Sequence, residues 1–163
     1  MTQSRITKPS TLTSLAMRIR ELPELYLIGW GGLLNGVWEF VHSPLYTDHT
    51  RGWWYVVWTR LHCTVGDIMI LTISFWLTCI LLRSRVWMLE KRSPGVFFLV
   101  LFGLGYTVFS EWYNTSVSVT WEYTAAMPVV LGIGLTPVLQ WLIIPPLVGW
   151  ATRWQLSGRL PGE

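Results

Sequence analysis

Charged side chains are scarce in this chain of 163 residues. Asp, Glu, Lys and Arg together make up 13% of the sequence, whereas apolar residues make up 52%. The mean hydropathy is positive, which lies outside the usual range for soluble domains. The composition therefore predicts an integral membrane protein, with the lipid bilayer as its main partner.

The sequence also lacks the motifs of several enzyme classes. It has no P-loop, no Gly-rich dinucleotide fingerprint, no Ser-centred nucleophile elbow and no HExxH motif. Nucleotide hydrolysis and hydride transfer are therefore not expected. Cysteine is equally scarce, and Cys63 and Cys79 would lie about four helical turns apart, too far for a disulfide between them. The net charge of +3 requires no nucleic-acid partner, because basic segments that face anionic lipid account for it.

Four apolar windows are long enough to cross a hydrocarbon core of about 30 Å, which takes roughly 20 helical residues. They cover residues 24–42, 63–82, 95–112 and 124–150. The predicted fold is all-α, a four-helix transmembrane bundle that forms one domain at 23–152. A basic cytoplasmic tail at 1–22 precedes it and a cytoplasmic tail at 153–163 follows it. The first tail has no apolar segment typical of a cleavable signal, so span 1 is expected to direct insertion.

Basic residues collect on one side of this arrangement. Of the twelve Lys and Arg residues, only Arg51 and Arg60 lie between spans 1 and 2, and the loop between spans 3 and 4 has none. The other basic residues are Arg5, Lys8, Arg18, Arg20, Arg83, Arg85, Lys91, Arg92, Arg153 and Arg159. The positive-inside rule therefore predicts that both termini are cytoplasmic.

Small and polar residues recur at steps of three and four within the spans. In span 1 they are Gly32, Asn35, Gly36, Glu39 and His42, which share one helical face. Such stripes let helices approach closely in lipid. This face is therefore predicted to look into the bundle.

Span 4 is long and rich in proline. Pro128 suits the first turn of a helix, whereas Pro137 removes an intrahelical hydrogen bond and predicts a kink. A run from 124 to 150 exceeds a straight crossing, so bending or tilt is expected. Gly132, Thr136 and Gln140 form its polar stripe at four-residue steps.

Ionisable residues cluster at one end of the predicted spans, which the charge rule places at the outer, periplasmic face. They come from all four helices: Glu39, His42, His62, Asp67, Glu111 and Glu122. Acids within a membrane are costly, so they usually face the bundle interior or water and have a partner. The cluster predicts a polar site near the outer surface.

This site has two chemical interpretations. In the first, all six residues are candidate metal ligands, because Glu39-x-x-His42 resembles the step of carboxylate-bridged di-metal sites. Oxygen and imidazole donors favour Fe, Mn or Zn over Cu. One difficulty is that His62 and Asp67 would lie about 140° apart on an ideal helix, so both join only if the helix begins near Gly66.

The second interpretation is acid/base chemistry without a metal. Its candidate catalytic residues are Glu39, His62, Glu111 and Glu122. A buried Glu39 and a wetter Glu122 would have separated pKa values, as an acid and a base require, and His62 would shuttle protons.

Tryptophan is unusually frequent, with 12 residues. Aromatic residues crowd the outer loops at Trp53, Trp54, Tyr55, Trp58, Trp112, Tyr113, Trp121 and Tyr123. An aromatic belt at the headgroup level is the favoured interpretation. A lid over the site is the alternative.

Four strings carry a resemblance to a known group of proteins. They are WEFVHSPLY, HCTVGD, YTVFSEWYN and WEYTAAMPVVLGIGLTPVLQW, and they lie within residues 30–150. The chain resembles small bacterial multi-pass inner-membrane proteins of unassigned function. The resemblance implies a location in the bacterial inner membrane, and it carries no reaction, cofactor or catalytic residue.

Three functions remain open from the sequence. The first is a membrane-embedded enzyme, metal-dependent or acid/base, that acts on an apolar or lipid-like substrate. The second is an accessory subunit of a membrane complex, whose stripes serve packing and whose aromatic loops bind a partner. The third is a small transporter or proton relay, disfavoured because the lower half of the spans has few ionisable groups. A homo-oligomer is compatible with each of them.

Overall fold

A computed structural model describes residues 22–90 and 93–157. Its long helices are α1 (Pro23–His42), α2 (Trp53–Leu82), α3 (Gly95–Trp112) and α4 (Leu135–Ser157). Short 3-10 helices lie at Ser43–Leu45, Thr47–Arg51 and Trp87–Leu89, and a π-helical turn at Tyr113–Val117 extends α3. Strands β1 (Val129–Val130) and β2 (Ile133–Gly134) form an antiparallel hairpin before α4. The chain is mostly helical with four long helices, as predicted.

Three of these helices are long and apolar enough to cross a membrane. They are α2, α3 with its π-helical extension to Val117, and α4. The first helix carries Glu24, Asn35 and Glu39 and is not among them. It packs instead against both α2 and α4, which in turn pack against α3. Each long helix therefore contacts two neighbours, and the four surround a common interior.

The polar face of α1 looks inward, as its spacing predicts. Asn35, Glu39 and His42 are buried, whereas Leu33 and Val37 on other faces are exposed. Glycine allows the close approach, because an added Cβ at Gly32 or Gly36 would meet side chains of α2. The stripe on α1 thus brings its polar residues against the neighbouring helices.

The start of α2 differs from the sequence prediction. The helix begins at Trp53, ten residues before the predicted span, and has 30 residues. Its buried face continues upstream of the apolar window through Val56, Arg60 and Thr64 at four-residue steps. Hydropathy alone missed this part, because aromatic and polar residues dilute the apolar signal there.

The start of α4 was predicted too early. Residues 128–134 form the hairpin instead of a first helical turn, because β-branched Val129, Val130 and Ile133 favour strands. Leu131 and Gly132 connect the strands with positive φ angles of 53° and 82°, as a two-residue hairpin turn requires. Gly132 therefore belongs to a turn and not to a helical stripe.

The position of Pro137 follows from the same shift. Since α4 begins at Leu135, Pro137 lies in the first turn, where its missing N–H costs no helical hydrogen bond. The predicted kink has no preceding helix to bend and is wrong. Pro145 and Pro146 are the prolines inside α4.

Two predicted domain boundaries can also be compared with the structure. The helix α4 continues to Ser157, past the predicted end at residue 152, so the start of the predicted C-terminal tail is helical. The predicted N-terminal tail at 1–22 lies almost wholly outside the described residues, as does 158–163.

Candidate functional site

A cavity of about 630 Å³ occupies the end of the bundle where α1 and α3 end. Its walls come from α1, α2, α3, the start of α4 and the loops that connect them. Side chains predicted to form the site line it without exception: Glu39, His42, His62, Asp67, Glu111 and Glu122. The fold therefore brings residues from four separate segments to one cavity.

Glu39 and His42 form the α1 wall of this cavity. Their three-residue spacing places the two side chains on one helical face, and Nε2 of His42 lies 3.1 Å from Oε1 of Glu39. Both residues are 5% exposed. Neither His42 nitrogen makes a geometrically sound hydrogen bond to another described residue. The imidazole is thus enclosed beside a carboxylate and keeps its hydrogen-bonding capacity.

A buried cation balances this acidic wall. Arg60 of α2 is 4% exposed, and its Nη1 lies 3.7 Å from Oε2 of Glu39. Its Nη2 donates to Oδ2 of Asp48 from the preceding 3-10 helix. Arg60 therefore connects α1 and α2 to the loop above them, and charge pairing permits burial of all three groups.

Aromatic rings pack around the same pair. The ring of Tyr46 lies 5.3 Å from that of His42 and 5.6 Å from that of Tyr123, and Cζ of Arg60 lies 5.2 Å from the Tyr46 ring centre. Burial raises the pKa of Tyr46 well above its ordinary value, and the carboxylates of Glu111 and Glu39 raise it further. The phenol of Tyr46 is therefore protonated at neutral pH.

Glu111 closes the cavity on the side of α3. It accepts a hydrogen bond from the hydroxyl of Tyr123, which itself accepts one from the backbone N–H of Gly134 at 3.0 Å. Burial and the Glu111 carboxylate raise the pKa of Tyr123. Glycine is needed at 134 because an added Cβ would lie 3.0 Å from the Tyr123 ring. The hairpin thus fixes the Tyr123–Glu111 pair.

Asp67 lies at the floor of the cavity. Nε2 of Gln140 on α4 donates to Oδ2 of Asp67 at 2.8 Å and to Oδ1 of Asn35 at 2.9 Å. This single amide links α1, α2 and α4. Asp67 also interacts electrostatically with Glu39 and Glu111, so the three acids belong to one polar cluster.

His62 and Glu122 occupy the rim of the cavity. Both side chains are exposed, unlike Glu39, His42 and Glu111. From the sequence, His62 and Asp67 could both join the site only if α2 began near Gly66. The helix begins at Trp53 and contains both residues, so that condition is wrong. His62 lines the cavity from its edge, whereas Asp67 lies inside the bundle.

The described side chains do not form a metal centre. Within residues 22–90 and 93–157, no group of three or more His, Cys, Asp or Glu is placed to hold an ion. Arg60 lies beside Glu39 and Asp48, and Gln140 holds Asp67, so these carboxylates already have partners. The structure thus gives no support to the predicted Fe, Mn or Zn site.

The loop aromatics divide into two groups. Trp53 and Trp54 are 70% and 81% exposed, as expected of a belt at the headgroup level. Tyr55, Trp58 and Trp121 line the cavity. The belt therefore remains a prediction for the exposed tryptophans, and the lid remains one for the aromatic residues that line the cavity.

Sequence reasoning missed four residues of the site: Tyr46, Asp48, Arg60 and Tyr123. The signal for Arg60 was the four-residue spacing that continues from Thr64 back to Val56. The loop residues had no comparable periodic signal. Their position depends on long-range pairing, in which the N–H of Thr47 donates to Glu122 O and that of Thr124 to Leu45 O.

The geometry allows one kind of chemistry in particular. A buried imidazole beside a carboxylate can accept a proton, and a second carboxyl group across the cavity can exchange one. Comparison with family models, curated proteins and solved structures found no match. What this chain can do must therefore be inferred from the site itself.

Proposed function

We propose that this protein is a membrane-embedded acid/base enzyme that acts on an amphipathic, lipid-like substrate. One observation carries the proposal. His42 is almost fully buried and lies 3.1 Å from the Glu39 carboxylate, it has no hydrogen bond of sound geometry to another described residue, and it lines a cavity of about 630 Å³. Leaving a buried imidazole without a partner is costly, and a substrate group would remove that cost.

Each residue has a distinct role in this proposal. Because Nε2 of His42 lies 3.1 Å from Glu39, we assign the proton to that nitrogen, and Nδ1 is then the basic atom. Glu39 stabilises the imidazolium that forms when Nδ1 takes a proton from the substrate, and Arg60 holds Glu39 in place. Glu111 on the opposite wall, with the hydroxyl of Tyr123 bonded to it, is the second proton-transfer group. His42 and Glu111 interact electrostatically, so the two proton-transfer groups belong to one site.

This assignment changes the roles expected from the sequence. His42 replaces His62 as the base, because His62 is exposed at the rim. Glu111 remains an acid/base candidate together with Glu39. Glu122 is exposed and would act only on a substrate group at the cavity entrance.

The exposed tryptophans favour a second candidate, an accessory subunit. Trp53, Trp54 and Trp58 are each at least 70% exposed and lie in the first turns of α2. Such a surface would bind a partner in a membrane complex. The headgroup belt accounts for the same exposure without a partner, so the enzyme is preferred.

The setting follows from charge and from the resemblance to bacterial inner-membrane proteins. We place all four helices across the inner membrane, with both termini cytoplasmic and the cavity on the periplasmic side. Topology reporters fused after Arg92 and at the C-terminus should report cytoplasm, and one at Ser116 should report periplasm. A cytoplasmic reporter at Ser116 would reverse this orientation.

Filling the cavity tests the enzymatic proposal. Gly66 lines the cavity, and a Cβ added there meets no atom within 4 Å, so Gly66→Leu should occupy substrate space without a clash. Gly29 on α1 is equally open, exposed and outside the cavity, so Gly29→Leu is the matched control.

The purified protein is reconstituted in vesicles of bacterial polar lipids, and the lipid composition of the vesicles is followed by mass spectrometry. Wild type and Gly29→Leu should convert at least one component relative to empty vesicles, and Gly66→Leu should not. Unchanged lipid with the wild type, or full conversion by Gly66→Leu, would contradict the proposal.

A further inference from the structure

Carboxylates outnumber cations in the lining of the cavity. Five acids line it, Glu39, Asp48, Asp67, Glu111 and Glu122, against two guanidinium groups, Arg51 and Arg60. Walls with an excess of one charge attract ligands of the opposite charge. The lining thus favours a cation over an anion.

Both guanidinium groups already contact other side chains, and Nε of Arg60 is the one atom of that group buried without a partner among the described residues. Arg60 is held by Glu39 and Asp48. Arg51 donates to the Tyr55 hydroxyl at 3.2 Å, and its Cζ lies 5.2 Å from the same ring. An anionic headgroup at the Nη atoms of Arg60 would have to compete with the carboxylates of Glu39 and Asp48.

Unused hydrogen-bond acceptors line the same space. Oγ1 of Thr107 is buried without a partner among the described residues, as is Oδ1 of Asp48. Thr107 is 6% exposed. These two oxygens and His42 need donors, and a primary ammonium group supplies three N–H donors around one charge.

Aromatic rings complete the environment. Tyr46, Tyr106, Trp121 and Trp141 line the cavity, and rings attract cations through their faces. The Tyr46 ring already has the Arg60 guanidinium within 5.2 Å. Acidic walls with several aromatic rings are the usual environment for an ammonium ligand.

The cavity also reaches the flank of the bundle between α2 and α3. Trp58 and Tyr106, one from each helix, both line it and are 73% and 53% exposed. Both helices are long and apolar enough to cross a membrane. If these helices cross the membrane as proposed, this side of the cavity faces lipid, which suits a ligand whose hydrocarbon chain stays in the bilayer.

We infer that the cavity binds the ammonium group of an amphiphile. This inference names the substrate class of the proposed enzyme, and its chemistry rests on that proposal. Binding of the ammonium group does not depend on turnover. Asp48, Glu111 and Thr107 accept hydrogen bonds from the ammonium group, and the alkyl chain leaves between α2 and α3.

Titration calorimetry in neutral dodecyl maltoside micelles tests this inference, with decylammonium, decanesulfonate and ethylammonium as probes. Decylammonium should bind wild type at least tenfold more tightly than decanesulfonate. Thr107→Val and Glu111→Gln should each weaken decylammonium binding about tenfold, whereas Gly29→Leu should not change it. All variants are measured in the same detergent, so the probe partitions into the micelles equally in each experiment and the comparison between variants is unaffected.

Several outcomes would overturn the inference. Equal or tighter binding of decanesulfonate would mean that Arg60 binds an anionic headgroup. Equal binding of ethylammonium would show that a soluble amine, not an amphiphile, is the ligand. Full binding by both Thr107→Val and Glu111→Gln would place the probe elsewhere.

One further variant separates this inference from the proposed function. His42→Gln keeps a hydrogen-bond acceptor but loses the base, so it should still bind decylammonium more tightly than decanesulfonate and convert no lipid. Selective ammonium binding in a protein that converts no lipid would contradict only the enzyme. Lipid conversion without selectivity for ammonium would contradict only the headgroup assignment.

Discussion

Replacing Arg60 with methionine should lower the free energy of unfolding by about 3–5 kcal/mol, the usual cost of removing one member of a buried ion pair. Arg60 is 4% exposed and contacts both Glu39 and Asp48. Without its charge, the two carboxylates remain enclosed with no cation between them. The loss therefore exceeds what the missing contacts alone would cause.

The measurement is unfolding in mixed micelles of dodecyl maltoside and sodium dodecyl sulfate, followed by circular dichroism. Arg83, exposed at the end of α2, provides the control, and Arg83→Met should change stability by about 0.5 kcal/mol or less. Adding Glu39→Gln and Asp48→Asn to Arg60→Met should restore part of the stability, because no unpaired charge is left.

A loss below about 1 kcal/mol for Arg60→Met, the range of exposed pairs, would mean that water reaches the triad. The same would follow if the added Glu39→Gln and Asp48→Asn changes lowered stability further. Either outcome would contradict the description of Arg60 as the buried counterion of the site.

Replacing His42 with alanine should reduce lipid conversion by about 10²–10⁴-fold, the contribution of a positioned general base. The truncation leaves a gap beside Glu39 where free imidazole fits. Imidazole added at millimolar concentration should restore part of the rate in proportion to its neutral fraction. Rescue of this kind distinguishes a base from a residue that only supports the fold.

His49 supplies the control for this experiment. It is exposed, accepts or donates a single 2.9 Å contact with the Ser43 hydroxyl, and lies outside the cavity lining. His49→Gln should convert lipid at the wild-type rate and show no response to imidazole. If His42→Ala kept its activity, or lost it without rescue while remaining folded, His42 would not be the base.

Helical periodicity predicted much of the fold and of the site. Glu39 and His42 share a face because three residues turn a helix through about 300°, and that relation holds before any tertiary contact forms. The order of the spans placed Glu111 and Asp67 at the same end of the bundle, because consecutive spans run antiparallel and bring alternate helix ends together. All six predicted residues therefore line the cavity, although their chemical roles remain predictions.

Periodicity predicted less where aromatic or β-branched residues intervene. The window for α2 began too late because Trp53–Trp58 is less apolar than the rest of the helix, and Arg60 was assigned to a loop as a result. The window for α4 began too early because Val129, Val130 and Ile133 are apolar, although they form a hairpin. Hydropathy reports how apolar a segment is, and it does not distinguish a strand from a helix over a few residues.

The sequence by itself predicted a mostly helical chain with helices apolar enough to cross a membrane and the inward face of α1, because each depends on composition or on spacing along one helix. Only the tertiary structure decided that Arg60 neutralises Glu39 and Asp48, that Tyr123 binds Glu111, and that Gln140 holds Asp67. Those contacts join residues of different helices and loops, and their distances depend on how the helices pack. That packing places paired charges around the buried His42, and it gives the predicted metal centre no support among the described residues.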